Sequence, residues 1–184
     1  MGTTSSTIKI VNDTSTDIVN TSVSGLDSFD FVDTNHPSNK LNGLSINAKG
    51  SVERIVDLYT PASHCPVTVT LTFKDKSEDT FRIDLKYAEG CCARFDHSRR
   101  SHKMSYRLDN KKIIVTIENT AEQNKNEEAE ESLRRARQAM RRRLYDQALD
   151  HLSHAKNLAS KADIVREIRS EESEVYSSYG DSMF

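Results

Sequence analysis

The sequence predicts a segregated α+β protein: an antiparallel β-sandwich of about seven to nine strands, followed by an amphipathic helical hairpin or one long helix. Residues that favour turns are confined to the first part of the 184-residue chain. No glycine occurs between Gly90 and Gly180, and no proline follows Pro66. Apolar residues alternate with polar ones in the first part, whereas in the last part they recur at helical spacing.

The clearest strand signal lies in two neighbouring segments. In Pro66–Asp75 apolar residues alternate with threonines, and in Asp79–Tyr87 apolar and aromatic residues alternate with polar ones. A period of two is typical of a strand with one buried and one solvated face. The polar segment Lys76-Ser77-Glu78 has the length of a hairpin loop. The two segments are therefore predicted to form an antiparallel hairpin.

Further strands complete the predicted sandwich, which spans residues 7–120 after a flexible terminus of residues 1–6. The same criteria predict strands at Thr7–Asn12, Asp17–Ser24, Ser28–Val32, Leu44–Asn47, Val52–Tyr59, Lys103–Leu108 and Lys112–Glu118. The last two are joined across Asp109-Asn110-Lys111, where Asn and Asp tolerate left-handed backbone conformations. The stretch from Ala88 to Ser101 is expected to be irregular. Many short strands between turn signals indicate a sandwich or a partly open barrel.

The last part of the chain is predicted to be a helical arm over residues 121–176, with a flexible tail at 177–184. Its apolar residues at helical spacing form one stripe. We call the following six of them the apolar seam: Leu133, Ala136, Met140, Leu144, Leu152 and Ala155. Breaks near Arg141–Asp146 and Ser160–Asp163 would turn one long helix into a hairpin or three short helices. Because an apolar helical face must be buried somewhere, the seam is predicted to bind a protein partner or a second copy of the chain.

Part of the arm resembles a known repeat. The segment Tyr145-Asp146-Gln147-Ala148-Leu149, followed by His151-Leu152 and Ala155, resembles the second half of a tetratricopeptide repeat. In that family a tyrosine, an alanine and later small residues pack two antiparallel helices. The resemblance covers roughly 30 residues and one repeat. Arg and Leu occupy the turn, and the glycine that is usual in the first helix of the family is absent.

A second resemblance covers more of the chain. The strand Lys112–Glu118, the helices, and then Val165-Arg166-Glu167-Ile168 resemble the region that follows the von Willebrand A domain in some eukaryotic proteins. This resemblance implies an accessory interaction module without catalytic chemistry.

One cluster of cysteine and histidine residues is a candidate metal site. Cys91, Cys92, His97 and His102 are close in sequence, and thiolates and imidazoles are the ligands that zinc prefers. The adjacent cysteines would point to opposite faces of an extended strand, and the usual spacing between paired ligands is missing. Burial of a cysteine as a small apolar residue is the alternative. Zinc is therefore a possible cofactor, and no other cofactor is predicted.

The charge pattern argues against nucleic acid as a partner. The formal net charge is −2, and the dense arginine segment from Arg134 to Arg143 follows a run of glutamates. We interpret this segment as a salt-bridged, solvated helix face. A membrane contact is not expected from bulk charge either.

The N-terminal sequence and the cysteine content favour a cytoplasmic location. The first residues are polar and lack the apolar core of a secretory signal, and the three cysteines are an odd number. Met1-Gly2 followed by Ser6 fits the N-myristoylation template, which is the one predicted route to a membrane.

The function predicted from these features is that of a non-enzymatic, intracellular protein-interaction or assembly module that acts through its helical arm. The chain contains no phosphate-binding loop, nucleophile motif or paired acid and base on which an enzyme could be built. Two alternatives remain open. One is a lectin-like or membrane-active ligand-binding sandwich, and the other is a zinc-stabilised module.

Overall fold

The computed structural model describes residues 3–24, 29–31, 41–59, 64–86, 91–99 and 101–182. The chain divides into two compact units, Met1–Asn119 and Thr120–Phe184. The first contains the strands and the second contains the helices, which confirms the segregated α+β class. Each unit is described below by itself.

The first unit contains nine strands within the described residues. They are β1 (Thr3–Asp13), β2 (Ile18–Ser24), β3 (Phe29–Phe31), β4 (Ser51–Tyr59), β5 (His64–Phe73), β6 (Glu78–Lys86), β7 (Cys91–Arg99), β8 (Lys103–Asp109) and β9 (Lys112–Glu118). One sheet has the order β3-β4-β1-β9-β8 and the other has the order β2-β5-β6-β7. Buried side chains from both sheets form one core, as in a sandwich.

The predicted hairpin is confirmed as β5 and β6. Val67, Val69, Leu71 and Phe73 are fully or almost fully buried, whereas the threonines between them are half-buried. In the turn, Lys76 adopts a left-handed conformation with φ 70°, and its N–H donates to the carbonyl of Phe73. The turn predicted at Asn110, which has φ 56°, is confirmed in the same way.

Three features of the first unit differ from the prediction. Strand β1 begins at Thr3, so residues 3–6 pair with β4 instead of forming a flexible terminus. Strand β1 also pairs with β9 in parallel, which is an exception in the otherwise antiparallel sandwich. Leu44–Asn47 is not a strand, because only Ile46 forms a bridge, to Ile18.

A fourth difference concerns the stretch 88–101, which was expected to be irregular. It contains β7, which pairs with β6 along an irregular register. The pairing shifts between Thr80 and Phe81 and again between Asp84 and Leu85. Each shift interrupts the alternation of side chains that a sequence pattern would need to show.

The second unit consists of the helices α1 (Ala121–Arg141), α2 (Tyr145–Leu158) and α3 (Ala162–Ser182). Both predicted breaks are present, so the arm is neither one long helix nor a simple hairpin. Helix α1 begins with a capping box, in which the Thr120 side chain accepts from the N–H of Gln123 and the Gln123 side chain accepts from the N–H of Thr120. Helix α3 continues to Ser182 and so passes residue 176, where the helical arm was predicted to end.

The helical unit has a hydrophobic core of its own. Small alanines on α1 and α2 let these helices approach closely, and larger aliphatic side chains of α3 cover them. The buried apolar residues are Ala129, Leu133, Ala136, Ala139, Ala148, Leu152, Ala155, Ile164, Ile168 and Val175. None of the helices in the described part of the chain is long and apolar enough to cross a membrane.

Candidate partner-binding surface of the helical unit

The structure places most of the apolar seam inside the helical unit. Leu133, Ala136, Leu152 and Ala155 are at most 2% exposed. They are therefore closed to a partner, because they pack in the core that α1 and α2 share with Ile164, Ile168 and Val175 of α3. The accessible part of the seam is the half-buried Met140 and Leu144, which is 40% exposed.

A polar clamp fixes the connection between α2 and α3. The Oδ1 atom of Asn126 on α1 accepts hydrogen bonds from the backbone N–H groups of Ser160 and Lys161, at 2.9 and 3.1 Å. The Ser160 hydroxyl donates to Glu122 at 2.9 Å. Because α3 begins at Ala162, the clamp holds the start of α3 beside the first part of α1. Sequence analysis missed Asn126, since an isolated asparagine in a helix gives no pattern.

Ion pairs along α1 hold its first three arginines. Arg134 binds the Glu131 carboxylate through two hydrogen bonds, of 2.6 and 2.9 Å, and Arg135 reaches the same carboxylate at 3.3 Å. The hydrogen bond from Arg134 lowers the pKa of Glu131 from 4.5 to about 2. Arg137 reaches across to Glu171 and Glu167 on α3, and the hydrogen bond with Glu171 raises the pKa of Arg137.

The three arginines that follow have a different environment. Arg141, Arg142 and Arg143 are all exposed. Within the described residues, no carboxylate lies within ion-pair distance of any of them. The predicted salt-bridged face is therefore confined to the first part of the arginine segment.

These arginines form the turn between α1 and α2, which has the hydrogen bonds of a Schellman motif. The N–H of Leu144 donates to the carbonyl of Ala139, and the N–H of Arg143 donates to the carbonyl of Met140, both at 2.9 Å. Arg143 occupies the left-handed position with φ 58°, which glycine usually fills. Leu144 is the N-cap of α2 and provides no side-chain hydrogen bond to the helix. We call Arg141–Leu144 the arginine turn.

A groove of about 230 Å³ lies between α2 and α3, at the other end of α2. Ala159, Val165 and Ile168 form its apolar floor, and Lys156 and Arg169 flank it. Lys156 lies 3.8 Å from Glu172, which is a long contact for an ion pair. The groove therefore combines apolar surface with positive charge. The sequence alone could not show that the surface around Val165 stays open.

Of the four predicted zinc ligands, the structure describes the side chain of His102. His102 is 3% exposed, and its Nδ1 lies 2.9 Å from Oδ2 of the fully buried Asp79. The ring of His102 also lies against Phe73, with the centroids 4.1 Å apart. The side chains of the other three candidates, Cys91, Cys92 and His97, lie outside the described residues.

No group of three metal-ligating side chains occurs in the part of the chain that the structure describes. The zinc-stabilised module therefore stays a prediction. Sequence analysis missed Asp79 as the partner of His102, because the two lie on different strands and share no local pattern.

Taken together, the geometry defines a β-sandwich joined to a three-helix unit that carries a partly open groove and an exposed arginine turn. No family model matches the sequence. The search of curated proteins finds no match either. Among solved structures, the chain is similar to the crystal structure of RahU protein in complex with a TRIS molecule, with a TM-score of 0.43 and 12% sequence identity. The match covers 63% of this chain and 96% of that chain. A similarity of this size does not define a shared function.

Proposed function

We propose that the protein is a non-enzymatic interaction module whose helical unit docks another protein at the α2–α3 groove. The observation that carries the proposal is the open apolar floor of this groove. Three helices that bury ten side chains in a shared core still leave Ala159 and Val165 partly accessible. Apolar surface in a concave site is the usual mark of a binding groove. An intracellular location and the tetratricopeptide-like character of the arm belong to the same proposal.

The chemistry of the groove indicates what would fill it. An aliphatic side chain of the partner would lie on Ala159 and Val165, and its burial would contribute about 1.5–3 kcal/mol. Lys156 and Arg169 would attract acidic side chains that flank this anchor. The expected partner is therefore a protein segment with an aliphatic anchor and carboxylates beside it.

The proposal is tested with a variant that places a charge on the groove floor. Val165→Asp would bring a carboxylate into the apolar floor, where a partner's aliphatic side chain could no longer bind without burying it. Ser170→Asp is the matched control, because it adds the same charge at an exposed position of the same helix. Circular dichroism would first show that both full-length variants keep the helical content of the unmodified chain.

The measurement compares partners captured by cross-linking to the three full-length proteins. The supporting result is a protein bound by the unmodified chain and by Ser170→Asp, and lost with Val165→Asp. Light scattering on the same samples would show whether the bound protein is a second copy. The proposal is overturned if every captured protein binds the Val165→Asp variant equally well.

A further inference from the structure

Two adjacent residues of the arginine turn, Arg143 and Leu144, are unfavourable for the backbone positions that they occupy. A side chain larger than glycine in the left-handed conformation is unfavourable, and Arg143 occupies that position. A helix N-cap is favoured when Ser, Thr, Asp or Asn accepts a backbone hydrogen bond there, and Leu144 cannot do so. Residues that oppose the local structure are found where their side chains serve another purpose.

The helix dipole accounts for only part of this composition. A cation in the last turn of α1 interacts favourably with the negative end of the helix, and Arg141 fills that role. This effect requires neither an arginine at the left-handed position nor a 40% exposed leucine after it. An apolar residue at the position of Leu144 is common after a Schellman motif, so the charge of Arg142 and Arg143 is what the fold of the unit leaves unexplained.

We propose that the arginine turn binds an acidic segment of a partner protein. The guanidinium groups of Arg141, Arg142 and Arg143 would bind its carboxylates, for which their planar, forked geometry is suited. Leu144 would contact an apolar side chain of the same segment. The inference shares with the proposed function only the premise that the helical unit meets another protein, and it does not need the α2–α3 groove.

Two other anionic partners fit the charge pattern less well. Residues 121–184 contain 11 Lys and Arg residues against 13 Asp and Glu residues, so the helical unit is slightly acidic. A flat anionic membrane would face this whole charge distribution, whereas a short acidic segment meets the turn alone. A nucleic acid would meet the same repulsion. Binding of a membrane or of a nucleic acid in place of the acidic segment is one of the outcomes that the test distinguishes.

The test measures the fluorescence anisotropy of a short labelled peptide of Glu-Glu-Leu repeats as full-length protein is added. Binding is expected at low ionic strength and is expected to weaken as salt is added. The double variant Arg141→Ala/Arg142→Ala should bind about tenfold more weakly, since each carboxylate contact contributes a few-fold. The double variant Arg134→Ala/Arg135→Ala is the matched control, because it removes the same charge from the same arginine segment, at two positions that pair with Glu131.

The control variant and Val165→Asp should both bind the peptide within about twofold of the unmodified protein. Retained binding by Val165→Asp would separate this inference from the proposed groove. The inference is overturned if the peptide does not bind, or if both double variants weaken binding equally, which would indicate bulk charge. It is also overturned if phosphatidylserine vesicles or a single-stranded oligonucleotide bind through the turn and the peptide does not. A turn-dependent dimer seen by light scattering in the absence of peptide would contradict it as well.

Discussion

Replacing Arg143 with glycine is expected to stabilise the helical unit, although it removes a charge and a long side chain. Arg143 is the residue that follows the cap of α1, and its φ of 58° lies in the region that only glycine adopts at little cost. For other residues this conformation costs about 1–2 kcal/mol. Glycine also makes the unfolded chain more flexible, which offsets about 0.5–1 kcal/mol of the gain.

Arg142→Gly is the control that isolates the backbone conformation. Arg142 has φ −93° and ψ 2°, so glycine relieves no left-handed strain at that position. Both variants remove one exposed arginine from the same turn and add one glycine, so their effects on charge and on the unfolded chain are similar. Arg143→Gly should therefore be more stable than Arg142→Gly by about 1–2 kcal/mol.

The measurement is the unfolding of each full-length variant, followed by the loss of helical circular dichroism. For a unit of this size, a difference of about 1 kcal/mol corresponds to roughly 4–8 °C in the melting temperature. Arg142→Gly should melt below the unmodified chain, and Arg143→Gly should melt at or above it. If the two variants melt at the same temperature, the strain attributed to Arg143 does not exist and the inference drawn from it loses its first support.

Two further predictions concern charged groups in each unit. Asp79→Ala should lower the free energy of unfolding of the sandwich by about 1–3 kcal/mol, because it leaves the buried Nδ1 of His102 without its hydrogen-bond partner. Glu128→Ala, which breaks an exposed pair with His154, should cost less than about 1 kcal/mol. A similar denaturant midpoint for both variants would contradict the argument. The ion pairs of Glu131 lower its pKa to about 2, so they stabilise folded α1 above pH 4.5 and lose this effect as the pH falls to about 2. Glu131→Gln should therefore be less stable than the unmodified chain at neutral pH and equally stable near pH 2, whereas Glu130→Gln should show no such pH-dependent difference.

The strands that could be predicted are those whose alternation is uninterrupted. In the described parts of β5 and β6, apolar side chains at every second position enter the core, and a polar turn separates the two strands, so local sequence was sufficient. Strand β7 could not be recognised, because its two register shifts against β6 interrupt the alternation. The parallel pairing of β1 with β9 joins residues about 100 positions apart in the chain. The alternation within each strand indicates which face is buried but not which strand it pairs with.

For the helical unit, the sequence predicted that a face is buried but not what buries it. The spacing of Leu133, Ala136 and Leu152 indicated one apolar side, and a partner protein was an available explanation. In the structure α1 and α2 pack against each other through that side, and Ile164 and Ile168 of α3 belong to the same core. The surface that a partner could contact is the part that the three helices do not bury among themselves. It could be identified only once the contacts between the helices were known.

The arginines of the arginine segment differ from one another once their contacts in the structure are known. Six arginines between Arg134 and Arg143 have equivalent chemistry in the sequence, where neighbouring glutamates are close enough to neutralise any of them. In the structure Glu131, Glu167 and Glu171 bind the first three, and the chain then turns before the last three can reach a carboxylate among the described residues. A turn that served only to reverse the chain would be more stable with glycine at 143. The arginine turn instead leaves three guanidinium groups exposed, and they are followed in sequence by a partly exposed leucine. An acidic protein segment with an apolar side chain is the partner that this combination fits.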